Sequence, residues 1–118
     1  MLTGVRGRVA DDLAPLLPGI DVYPSYRTLE NLARTSVLVG WTDAEPFGTA
    51  NPGETVTVAL WVVAAQTDPT GAADDELDAA TDLVLAALDT LPYPWRRIRR
   101  TVYADTNPAA TIDLELGA

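Results

Sequence analysis

Residues 55–66, TVTVALWVVAAQ, constrain the fold of this chain more than any other stretch. In an extended chain Val56, Val58, Leu60, Val62 and Ala64 share one side, and Thr57, Ala59, Trp61, Val63 and Ala65 the other. The first half alternates polar with apolar, while the second half is apolar on both sides. A strand of that kind belongs in the middle of a sheet, covered on both faces. The remaining residues must therefore supply strands along its edges and cover above and below it.

What flanks this strand fits that demand. Thr35 to Trp41, TSVLVGW, reads as a second strand rich in β-branched and aromatic residues. The polar stretch 42–54 between them reads as a long hairpin loop, where two to five residues are usual. It carries the single phenylalanine, Phe47, between Pro46 and Gly48. An aromatic in such a place either anchors a partner or folds back under its own loop. Upstream, Leu2, Val5, Val9, Leu13 and Leu16 recur at helical spacing over residues 3–14, with Thr3 as N-cap. Pro15 and then Pro18-Gly19 close that helix, and Ile20 to Tyr23 form a short strand that Pro24 caps or confines to a sheet edge.

Downstream, the break DPTGAA leads into a helix over 74–91, with an apolar stripe of Leu77, Ala80, Val84, Leu88 and Leu91. Asp74, Asp75, Glu76 and Asp78 crowd its start, where the helix dipole favours negative charge. Arg96 to Ala104 and Thr111 to Leu116 read as two closing strands. In the last, Ile112, Leu114 and Leu116 face inward, while Thr111, Asp113 and Glu115 face outward.

The expected architecture is one α+β domain over residues 1–118, in the order α-β-β-β-α-β-β. Its sheet is mostly antiparallel, with four to five strands and two helices packed on one face. That leaves no helix for the second face, where Trp61, Val63 and Ala65 need burial. A neighbouring subunit is expected to cover them. The alternative is a sheet that curls, with the long loop folded over it.

Composition narrows the chemistry. The 118 residues, 47% hydrophobic and 21% charged, make a single folded domain. No apolar run approaches the ~18 residues of a membrane span. Charges inside MLTGVRGRVADDL argue against a signal peptide and for a cytosolic start. With no cysteine and no histidine, disulfides, thiolate nucleophiles, Cys/His zinc sites and the usual neutral-pH base are excluded. Ser25 and Ser36 have no histidine to activate them. Asp74, Asp78 and Asp82 line one helix face, but no loop supplies the further oxygens a hard cation needs. The expectation is therefore a protein that is no enzyme and carries no cofactor or metal.

The single basic cluster is RRIRR: Arg96, Arg97, Arg99 and Arg100. It is open to three readings. The arginines pair internally with Asp113 and Glu115 across the strands. They meet an acidic surface on another subunit, for which Asp74, Asp75 and Asp78 are the complement. Or they bind nucleic acid, against which stand a net charge of −9 and the lack of an aromatic platform in the cluster.

The helix, the strand bearing VYPSY, TSVLVGW with its long hairpin, TVTVALWVVAA, the helix opening ADDELDAATDLVLAAL and two final strands resemble, in order and length, the tail terminator (tail completion) proteins of long-tailed bacteriophages. The likeness is to those of phages infecting actinobacteria, and it covers nearly the whole chain. It rests on element order and apolar pattern, not on a signature residue. It implies a structural virion protein made in the host cytoplasm. Its ring, a hexamer in that family, caps the head-proximal end of the tail tube, ends polymerisation and joins a head-side connector or stopper. DNA passes through the lumen without specific binding, and no membrane is involved. The resemblance places Phe47 at a contact with a neighbour. The residues expected at subunit or partner interfaces are thus Phe47, Trp61, Val63, the four clustered arginines, Asp74, Asp75 and Asp78. Another neck component, or a small non-catalytic ligand-binding domain, is the alternative.

Overall fold

A computed structural model describes residues 4–25, 34–46, 54–65 and 71–117. Helix α1 spans Val5–Leu13 and runs into a 3-10 turn, Ala14–Leu16. Strand β1 is Asp21–Tyr23, β2 is Ser36–Pro46 and β3 is Glu54–Val63. Helix α2, Ala72–Leu88, precedes β4, Trp95–Tyr103, and β5, Asn107–Gly117. The five strands form one sheet in the order β1-β2-β3-β5-β4. Only β1 pairs in parallel; every other neighbour is antiparallel. This is the expected α+β fold, with β3 in the centre.

The main core lies between the sheet and both helices. Val56, Val58, Leu60, Val62 and Ala64 meet Val9 and Leu13 of α1, Leu77, Val84 and Leu88 of α2, and Ile112 and Leu114 of β5. These are the faces that the alternation in the sequence predicts. The α2 stripe holds through Leu88; Leu91 lies beyond the helix and packs at the core margin.

Several boundaries move for local reasons. Thr3 lies outside the described residues; the residue at the α1 cap is Gly4, left-handed and without a side-chain cap. Pro15 does not end the helical path, because proline fits the first turn of a 3-10 segment. That tighter turn rotates the register, leaving Leu16 exposed and burying Leu17 in its place. Helix α2 stops three residues before Leu91. There the Thr90 hydroxyl donates to the Ala87 carbonyl at 2.8 Å and the Thr90 N–H bonds the same oxygen at 3.1 Å.

The largest correction is at 42–54. Thr42–Pro46 is strand, as is Glu54, so the ladder runs to Pro46↔Glu54 and the connection shortens to 47–53. Phe47 falls outside the described residues. The last hairpin is also tighter than expected. Its turn is Ala104-Asp105-Thr106, with Ala104 and Asp105 at φ 51° and 64° and the Thr106 N–H bonded to Tyr103 O at 3.2 Å.

Candidate functional site

Strand β4 forms one edge of the sheet, where among the described strands it pairs only with β5. Its sequence, WRRIRRTVY, alternates two chemistries across the strand. Ile98 and Arg100 pair with Ile112 and Ala110, on the helix-covered side. Arg97, Arg99 and Thr101 pair with Asp113, Thr111 and Ala109, on the opposite side. The helices do not reach out far enough to roof the edge. Trp95, Ile98 and Val102 therefore stay 41%, 37% and 55% exposed. Only Tyr103 in this strand is buried.

The four arginines divide. Arg100 reaches α2 and lies 3.4 Å from Asp78 and 3.9 Å from Asp74. Arg96 pairs with Glu115 at 3.4 Å. So the complement expected on a second subunit is met, for Arg100, inside the chain, because α2 packs with its acidic start beside β4. Arg97 and Arg99 form no ion pair among the described residues. Asp75 is exposed in the first turn of α2. All these pairs are solvated, and pairs at such exposure add little stability. Among the described residues no group of three or more potential metal ligands comes together.

The second face of the sheet is less bare than the sequence implies. Leu38, Val63, Tyr103 and Ala109 form a small second core, with Tyr23 and Trp61 packed against it. The two edge strands each contribute a tyrosine to it, Tyr23 from β1 and Tyr103 from β4, so Val63 is fully enclosed by its own chain. That corrects its expected place on an interface. Ala65 and Trp61 remain half-buried. Trp61 crosses the sheet surface over Gly40, where a Cβ would stand 2.9 Å from the indole Cδ1 and 2.9 Å from the Ala59 carbonyl oxygen. Beside it opens a depression of about 240 Å³ lined by Trp61, Arg99, Arg100, Thr101 and Thr111.

A second groove, about 330 Å³, lies where the α1–β1 connection meets α2, between Ile20, Arg34, Glu76 and Leu83. Thr35 donates a hydrogen bond to Glu76 across its floor. Arg34 binds Asp21 at 2.7 Å, and the Asp21 hydrogen bond holds the guanidinium above its ordinary pKa. The volume sits at the bottom of the ~300–1,000 Å³ range of ligand pockets.

Sequence reasoning gave no place to Tyr93, the residue after Pro92. Its ring is buried and its hydroxyl donates to Asp12 of α1, tying the first helix to the approach to β4. Burial first, and the Asp12 carboxylate second, push this phenol above its usual pKa. A raised folded-state value means a contribution complete below about pH 10 and lost as pH climbs through the folded value. Replacing Tyr93 with phenylalanine is expected to cost about 1 kcal/mol at pH 7 and to flatten the alkaline fall in stability. Urea titrations at pH 7 and above pH 10 check both.

No protein-family model matches this chain, and no curated protein matches it.

Proposed function

We propose that this chain is an assembly protein that joins copies of itself into a ring, and that the ring is a tail terminator capping a phage tail tube. The observation that supports it is β4. A strand of nine residues at a sheet edge, exposed along nearly its whole length, offers, among the described residues, a free row of backbone donors and acceptors. Monomeric proteins normally shorten, bulge, charge or cover such an edge. Here the bulge between Trp95 and Arg97 and the arginines guard it in part, yet three large apolar side chains, Trp95, Ile98 and Val102, stay exposed along it.

The other open edge, at β1 and β2, is a different surface. Contact between two different surfaces of identical subunits is head-to-tail; such contacts close into rings where the rotation between copies closes, and run on as filaments where it does not. The order of elements supports the terminator reading within ring-forming proteins, through the resemblance given above. In that role the excess of acidic residues suits a conduit for DNA, since like charge keeps a duplex from sticking to the wall.

Tube assembly tests the reading. Purified protein added to polymerising tail tube subunits is expected to stop elongation at stoichiometric amounts, with a ring visible at one tube end by negative-stain microscopy. Tubes of unchanged length with bare ends would overturn it.

A further inference from the structure

We infer that the ring is sewn together by the sheet itself: the free edge of β4 pairs antiparallel with the free edge of β2 in the next copy. This rests on the ring reading above and specifies its contact. On the far side of the sheet β1 covers only Ser36, Val37 and Leu38 of β2. From Val39 to Pro46, no described strand pairs with that side of β2. Among the described residues, the two ends of the sheet thus carry open edges of similar length.

Their residues are complementary in charge type and match in alternation. By register Asp43 and Glu45 take the positions of Thr57 and Thr55 of β3, which alternate with the helix-facing Val56 and Val58. Arg97 and Arg99 take the positions of Asp113 and Thr111 at the other end, which alternate with the helix-facing Ile112 and Leu114. Strand directions agree as well. β4 runs antiparallel to β2 through the intervening β5 and β3, so a neighbour that keeps the same strand direction presents an antiparallel partner.

The register follows from two separate considerations. Through the ladders Arg97 lies level with Ala59 and Arg99 with Trp61, while Glu45 lies level with Thr55 and Asp43 with Thr57. A stagger of four residues therefore sets Arg97 against Glu45 and Arg99 against Asp43 at once. Without a stagger, the stretch Arg99–Thr101 would run into β1, which occupies that level. Sliding by four residues carries β4, up to Thr101, past β1 and onto the uncovered part of β2. Closed arrangements of strands require a stagger of this kind.

A two-fold pairing of β4 with β4 is the competing arrangement. It sets arginines against arginines, and like charges directly opposite are destabilising. Opposite charges at fixed cross-strand positions have the reverse effect and set register.

The chain has no cysteine, so introduced thiols report only the intended contact. R99C/D43C is expected to give disulfide-linked ladders of copies under mild oxidation. R99C alone is expected to give none; a disulfide dimer from R99C alone would show β4 against β4 and overturn the inference. Sedimentation of R97E/R99E and of D43R/E45R is expected to show self-association weakened by at least about tenfold, with the quadruple charge exchange restoring it. Thermal melts check that each variant is folded. Rings that persist in both double variants would refute the edge pairing and leave the ring reading intact. Absence of both rings and ladders, with tubes unaffected, would refute both.

Discussion

Leu60→Ala is expected to be the most destabilising single substitution in the central strand, by about 3 kcal/mol. Leu60 is fully buried, with β2 and β5 on either edge at Val39 and Ile112. The helices close the face it points to, so neighbours on all sides are fixed by other contacts and cannot collapse into the space left. The cost is then the lost transfer energy of the side chain together with the cavity. For a domain of this size the melting temperature should fall by on the order of 10 °C. Leu83→Ala provides the comparison: Leu83 is 56% exposed on α2, and its truncation should change stability by no more than ~0.5 kcal/mol. Denaturant titration of the pair measures the contrast. Equal losses would mean that the helix-covered face is not the main core.

Gly40→Val acts on the opposite face. A methyl group at Gly40 already meets the Trp61 indole and the Ala59 carbonyl at 2.9 Å each, and valine adds two more carbons. The backbone carbonyl is fixed by the ladder, so the indole has to leave. Overpacking of this sort costs about 1–3 kcal/mol. Displacing Trp61 also opens the small core of Leu38, Val63, Tyr103 and Ala109 that it packs against. The expected result is a loss of about 2 kcal/mol, with a change in near-ultraviolet circular dichroism. Removing the obstructing indole should relieve part of the loss. In a double-mutant cycle, Gly40→Val with Trp61→Ala should cost less than the two single changes added together. Strict additivity would show that the indole is not what Gly40 makes room for.

How far the sequence foretold this fold differs by element. Alternation in residues 55–66 and 111–116 names the inward residues correctly, because burial on one side of a strand leaves a two-residue period. The α2 stripe is legible for the same reason at helical spacing. The second core was hidden. Tyr23, Leu38, Val63, Tyr103 and Ala109 come from separate strands and assemble only once the strand order is known. Pro24 leaves an edge place open to β1, but no pattern along the chain announces β4 as the other end of the sheet. The extent of the hairpin was hidden too. TDAEP is polar and carries a proline, so it reads as loop; yet its backbone is held in the ladder opposite Val58 to Glu54. Of the basic cluster, the sequence revealed the charges but not their division. Which arginine reaches α2 depends on how far that helix lies across the sheet. The apolar half of β4 was visible in WRRIRRTVY, where Trp95, Ile98 and Val102 interleave with the cations, and its exposure follows from the strand's place at the edge.

The position of β5 carries a consequence for how the molecule matures on the ribosome. Of the five strands it is made last, yet it lies inside the sheet between β3 and β4. A chain that has emerged only as far as Thr106 owns its arginine strand but has nothing to hang it on. The β4 edge joins the sheet only with β5, whose Ile112 and Leu114 belong to the main core. On the edge pairing proposed above, an unfinished chain lacks the β4 half of the contact until β5 is in place.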